Sequence, residues 1–245
     1  MKGVNSIQIV YDNMKKIGVI GAMEEEVKEL TSMLEGREMK TVAGLSFYEG
    51  KIEGKDIVVV ECGIAKVNAA MCTQILISEF KVDAVINTGV AGALYEKLDI
   101  NDIVISTDAV EYDVDASPLG DPKGTIPRME TSIFTADSRL IDAAYDAFKE
   151  EKLKFNAYKG RVVTGDQFVA DNETKNALRS DFDGYCCEME GGAIAHVAYL
   201  NNTPFVIIRA ISDKADNSAE MTYDEFVKIA AINSKEMVVN MLKRI

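Results

Sequence analysis

A chain of 245 residues with 47% hydrophobic content and only 4 prolines is long enough for one large α/β domain and too apolar to stay disordered. Its net charge of −13 disfavours nucleic acid and anionic membrane, each of which needs a basic face. No apolar stretch reaches the roughly 18–20 residues that span a bilayer, and four cysteines (Cys62, Cys72, Cys186, Cys187) with one histidine fit no zinc spacing.

Residues 1–13 lack the apolar core of a secretory signal and precede a second methionine, Met14. They read as an N-terminal extension of unknown role, with a single domain over residues 14–245 and a reducing, cytoplasmic setting as the default. Ile17–Ile20 reads as a buried strand that turns through Gly21 into a helix from about Met23 to Leu34, opening with Glu24, Glu25 and Glu26. Leu45–Ile52 and Asp56–Glu61 read as a hairpin with Gly54 at its turn. A helix at about Val67–Phe80 is followed by a strand at Ala84–Asn87, which ends in Thr88-Gly89-Val90-Ala91-Gly92. Asp102–Ser106 is a strand, and residues 111–130, with Pro118, Pro122 and Pro127, read as a loop. Next come a helix at about Ser138–Glu151, a strand at about Ala157–Thr164 broken by Gly165-Asp166, and a short strand Tyr185–Glu188. That strand runs into a helix from Gly191 to Leu200, and Phe205–Ile211 is the last strand, ending in Ser212-Asp213. The spacing Thr222-x-x-Glu225 reads as a capping box that starts the final helix. Alternating strands and helices predict a single α/β domain with a mixed, largely parallel central sheet flanked by helices.

Glu26, the Thr88–Gly92 loop, Glu190 and Asp213 all lie just beyond the carboxyl ends of predicted strands, where a parallel sheet gathers its ligands. Each also has a plain structural explanation: a helix-start charge for Glu26 and Glu190, tight-turn glycines at 89 and 92, a cap or turn for Asp213. Three carboxylates at the first helix start repel phosphate, and because they fan out over different helix faces only one or two can enter a cleft. Carboxylates with no metal and no nucleophilic cysteine suit cleavage through an oxocarbenium-like centre. One carboxylate activates water, an acid protonates the leaving group and a third group holds the sugar hydroxyls. His196, set among Ala193, Ile194, Ala195 and Val197, reads as a packed core residue.

The segments Gly21-Ala22-Met23-Glu24-Glu25-Glu26, Asn87-Thr88-Gly89-Val90-Ala91-Gly92, Glu188-Met189-Glu190 and Arg209-Ala210-Ile211-Ser212-Asp213 occur in this order. With Gly63–Val67, Thr164–Phe168 and Tyr223–Phe226, they resemble the signature of the 5′-methylthioadenosine/S-adenosylhomocysteine nucleosidases, from Met14 to the C-terminus. The resemblance implies a nucleoside-phosphorylase-like fold, small thioadenosine nucleosides as substrates, no cofactor, and a homodimer in which residues 111–130 help cap the neighbouring pocket. It implies that Glu26 activates the attacking water, Asp213 protonates adenine N7 and Glu190 binds the ribose hydroxyls above Met189. Phe168 would stack on adenine, the Val169 backbone would bond its edge, and Met23, Ile64 and Phe226 would line the 5′-thio pocket. Ser212 and Arg209 would support Asp213 and Glu190.

Two departures bear on this. Val90 stands where many family members carry a serine near the water, and Leu119 and Asp121 stand where some carry aromatic residues. The alternatives are a purine nucleoside phosphorylase, which needs cations around an anion pocket, a non-catalytic purine-binding relative, and a nucleosidase for a related substrate such as a futalosine-type compound.

Overall fold

Val58, Val59 and Val60, Val85 and Ile86, and Val206, Ile207 and Ile208 are all fully buried. Such unbroken β-branched runs, lacking alternation, are what strands covered on both faces require. The computed structural model describes residues 14–151 and 155–245, so the extension over residues 1–13 lies outside the described residues. In chain order its elements are β1 (Lys16–Gly21), α1 (Glu24–Met33), β2 (Glu35–Val42), β3 (Leu45–Ile52), β4 (Lys55–Glu61), α2 (Lys66–Ser78), β5 (Ala84–Ala93) and β6 (Ile103–Glu111). They continue with β7 (Ile133–Thr135), α3 (Ser138–Glu151), β8 (Ala157–Thr164), α4 (Asn172–Phe182), β9 (Gly184–Glu188), α5 (Gly191–Leu200), β10 (Phe205–Asp213) and α6 (Ala219–Leu242).

All ten strands join one mixed sheet, ordered β10-β6-β8-β9-β5-β1-β4-β3-β2, with β7 on β6 and a further pairing of β10 with β5. The run β4-β1-β5-β10 is parallel. The β2-β3-β4 flank is antiparallel, as are the β10–β6 and β5–β9 pairs. Because β5 pairs with both β10 and β9, the strands β5, β10, β6, β8 and β9 close into a ring. One edge of β5 is shared: β1 occupies it from Ala84 to Asn87, and β9 joins only at Gly92. Between them, at residues 88–91, that edge has no strand partner. The site forms in this gap.

The structure adds three elements that the sequence pattern does not signal, β2, α4 and β7, the last a three-residue strand that buries only Phe134. β2 is exposed along nearly its whole length, so no buried face imposes the alternation that marks a strand. α4 buries only Leu178 and is fastened by Asp171, whose carboxylate accepts Thr174 N–H at 2.8 Å. β5 runs six residues past Asn87, because Gly89 and Gly92 lie within a strand and are not turn residues. A Cβ at Gly89 would collide with Arg209 Nη1 and Glu26 Oε1, and one at Gly92 would lie 2.8 Å from Asp213 Oδ1. These glycines allow two catalytic-type side chains to approach the backbone. The final helix starts at Ala219, one turn before the expected capping box, whose Thr222 and Glu225 side chains lie outside the described residues. Its Ser234, fully buried, bonds Thr88 Oγ1 at 2.7 Å, Gly89 N at 3.1 Å and Ile208 O at 3.2 Å, which pins β5 and β10 beneath the site.

Candidate active site

Of the glutamates at the start of α1, Glu24 and Glu25 are exposed and Glu26 is buried. Glu24 pairs with Lys28 at 2.9 Å across one helical turn, an ordinary surface contact. Glu26, three residues into the helix start, reaches back so that Oε2 accepts Ala22 N–H at 2.6 Å and Met23 N–H at 3.1 Å. Its Oε1 accepts Val90 N–H at 3.0 Å from the unpaired edge of β5. Three backbone donors fix the carboxylate in one orientation. Burial pushes its pKa above the usual range, opposed by Arg209, whose Nη1 lies 3.8 Å away, and by those hydrogen bonds.

Arg209, 1% exposed, projects from β10 into the same gap. Its Nη2 donates to Asn87 Oδ1 at 2.6 Å and to Glu188 Oε2, and its Nη1 donates to Val90 O at 3.3 Å. Glu190, the residue before α5, lies 3.6 Å from Nη2 through Oε2, while its Oε1 accepts Ala65 N–H at 2.9 Å. Three buried carboxylates thus surround one guanidinium. Burial above all, against the attraction of Arg209 and aided by repulsion from Glu188 and Glu26, lifts Glu190 to about 7.

Asp213 ends β10, the strand that also carries Arg209. At the end of β10 the register slips, so Ile211 faces Ala91 and Asp213 faces Gly92, leaving Ser212 as an extra residue. A bulge of this kind re-aims the side chain that follows it. Asp213 Oδ2 accepts Ser212 Oγ–H at 2.9 Å and Oδ1 accepts Ala215 N–H at 2.8 Å. Burial raises its pKa despite these bonds, which suits an acid that must keep a proton to deliver it.

The groups open onto a cavity of about 330 Å³, lined by Glu26, Glu190 and Asp213 together with Met23, Ile64, Val90, Phe168, Val169, Met189, Arg209 and Ser212. Twelve site residues were expected, and eleven of them meet there. Phe226 is the exception. Tyr223, one turn earlier on α6, takes the expected place: it meets the Phe168 ring edge-on at 5.6 Å and donates its hydroxyl to Met23 Sδ at 3.2 Å. An i, i+3 pair shares a helix face, so the sequence pattern alone could not choose between the two. Glu188, which the sequence pattern places in the Glu188-Met189-Glu190 segment with no role of its own, also lines the cavity. Val90 contributes through its backbone N–H, so the serine expected at this position is not needed to hold Glu26. His196 lies outside the lining, stacked on Phe134 at 4.7 Å with Nδ1 2.9 Å from Glu111 Oε1.

Among the described residues lining the cavity, Arg209 is the only cation, and carboxylates already surround it. A larger open hollow of about 550 Å³ lies at the other edge of the sheet, at the start of β1 and β4. Its lysines are paired within it, Lys16 with Glu49 and Lys51 with Asp56, both at 2.6 Å.

The profile of the phosphorylase superfamily matches residues 16–243. The 5′-methylthioadenosine/S-adenosylhomocysteine nucleosidase of Bacillus licheniformis is 45% identical over 231 residues, which cover 94% of this chain and 99% of that one. Among solved structures, the nucleosidase of the same description from Neisseria meningitidis, in complex with methylthio-immucillin-A, superposes with a TM-score of 0.91 at 41% identity, covering 94% of this chain and all (100%) of that one. The one from Colwellia psychrerythraea, in complex with adenine, gives 0.90 at 38% identity, covering 94% and 96%.

Proposed function

This chain belongs to the 5′-methylthioadenosine/S-adenosylhomocysteine nucleosidases of the phosphorylase superfamily, and from that premise we propose how its residues hydrolyse these two nucleosides to adenine and the 5′-thioribose product. Asp213, protonated, gives its proton to adenine N7 as the C1′–N9 bond breaks, so that the purine leaves neutral. Glu26, ionised, takes a proton from the water that adds to C1′ of the oxocarbenium-like sugar. Glu190 accepts the ribose hydroxyls over Met189. Phe168, 43% exposed at the mouth, offers its face to adenine, and the Val169 backbone meets the purine edge. Met23, Ile64 and Tyr223 receive the 5′-thio group.

One observation carries the choice of water over phosphate. A phosphorylase needs free cations at the nucleophile's position, and the only cationic side chain of the described lining, Arg209, is held by Glu188, Asn87 and Val90. Asn87, in the place where a phosphorylase tends to supply a basic residue, is buried and bonds Ile20 O at 3.0 Å. The protein should therefore release adenine from methylthioadenosine and from adenosylhomocysteine in phosphate-free buffer, at a rate that added phosphate leaves unchanged. Absence of adenine from a folded sample, or a sugar phosphate as product, would overturn the reading. A non-catalytic relative has no reason to keep Glu26, Glu190 and Asp213 around one cavity.

The pH profile follows from the buried carboxylates. Glu190 can accept from both ribose hydroxyls with charge-assisted bonds only when ionised, so kcat/KM, which reports the free enzyme, should fall as pH drops through about 7. On the alkaline side it should fall as Asp213 loses the proton that burial helps it keep. A profile flat from about pH 5.5 to 8.5 would remove Glu190 from ribose binding.

The same reading includes a homodimer. Support comes from Leu119, 83% exposed within residues 111–130, and from Ile64, Val67 and Met71, exposed at the cavity mouth and along α2. A cytoplasmic setting is supported by four free, buried cysteines. No helix of the described residues is long and apolar enough to cross a membrane.

A further inference from the structure

Glu188 is the most heavily bonded carboxylate of the site, and the chemistry proposed above assigns it no part. It ends β9, two residues before Glu190, and is 8% exposed. Its Oε1 accepts the Thr164 hydroxyl from the end of β8. Its Oε2 accepts Glu190 N–H at 3.1 Å, Gly191 N–H at 2.7 Å and Arg209 Nη2–H. One side chain therefore ties together the end of β8, the start of α5 and the guanidinium on β10.

The valence of Arg209 Nη2 makes this consequential. That nitrogen carries two protons, and they go to Glu188 Oε2 and Asn87 Oδ1. Glu190 Oε2, at 3.6 Å, is left with the field of the guanidinium and no hydrogen bond from it. Among the described residues the only hydrogen bond to the Glu190 carboxylate is the one from Ala65 N–H to Oε1.

We propose that Glu188 is a positioning residue for ribose recognition: it occupies the Arg209 guanidinium and fixes the Glu190 backbone, which keeps Glu190 Oε2 open for the sugar hydroxyls. The proposal rests on the role given to Glu190 above. A plain helix cap would need only the bonds from Glu190 N and Gly191 N. The bonds to Thr164 and Arg209 lie outside that role. Without the Glu188 charge, the nearest anionic partner for Nη2 is Glu190, which would be drawn out of the ribose site into an ion pair.

The test compares full-length wild type, Glu188→Gln and Glu188→Asp with methylthioadenosine across the pH range, alongside direct binding of free adenine. Wild type that releases no adenine would refute the nucleosidase reading itself, before any variant is compared. With active wild type, Glu188→Gln should raise KM about tenfold or more while kcat changes less than about threefold, because uniform binding to the ribose is lost. The acid limb of kcat/KM should move down by about one pH unit, since the Glu188 repulsion that adds to burial in lifting Glu190 is gone and Arg209 now pairs with it. Adenine, which has no hydroxyls for Glu190, should bind as to wild type. Glu188→Asp keeps the charge and should leave the limb in place.

An unchanged KM and limb in Glu188→Gln would overturn the proposal. So would equal losses in kcat and adenine binding with an unmoved limb, the mark of local packing damage. If Glu188→Gln does not melt cooperatively, Glu188→Asp decides alone. A KM raised about threefold with the limb in place supports the proposal, because the shortened carboxylate holds Arg209 less well. A wild-type KM in that variant overturns it.

Discussion

Asp213→Asn is expected to abolish adenine release, lowering kcat by about 10³-fold or more, toward the upper end of what a general acid contributes. The reason is specific to the site. An amide oxygen can still accept the Ala215 N–H that now bonds Oδ1 at 2.8 Å, and the amide nitrogen can turn to the Ser212 hydroxyl, now 2.9 Å from Oδ2. Fold and substrate binding should therefore survive while the transferable proton is gone. Adenine must then leave as an anion, and the loss falls on kcat with little change in KM. Turnover of methylthioadenosine within about tenfold of wild type would show that another group protonates the purine.

Glu26→Gln should lower kcat by about 10²-fold or more, while adenine binding largely survives. Here the substitution also has a structural cost that Asp213→Asn avoids. Glu26 accepts backbone N–H groups at both oxygens, from Ala22 and Met23 on one side and Val90 on the other. A glutamine must turn its NH₂ toward one of these donors, leaving at least one buried N–H unpaired at a cost of about 1–3 kcal/mol. Thermal melts taken beside the kinetics separate the two effects: a modest drop in Tm with intact adenine binding and lost turnover identifies the missing base. Turnover near the wild-type rate would return Glu26 to the role of a helix-start charge.

The local pattern carried most of the fold. β3, α3, β8 and α5 fall within a residue of the bounds read from periodicity, since each has a buried face that the sequence must mark. β2, β7 and α4 carry no such mark because they bury almost nothing. The limit at the site is of another kind. Glu26 was legible because a strand-glycine-helix turn with carboxylates at its start is a local signal. Tyr223 and Phe226 share one helical face, so the pattern does not choose between them, and only packing against Met23 and Phe168 separates them.

By itself the sequence determined which residue types are present, their order, and the elements that end beside each of them, and so the class of chemistry. Those are short-range properties, set by period, capping and turn preference. Tertiary structure decided which groups touch. The unpaired stretch of β5 between β1 and β9 exposes the N–H and carbonyl of Val90, and Glu26 and Arg209, 64 and 119 residues away in sequence, satisfy them. That gap exists because the ring of strands closes on β5 only at Gly92. A bulge at Ser212 then turns Asp213 to face it. Register and closure are long-range properties: they depend on pairing partners far apart in the chain, and no local pattern encodes them.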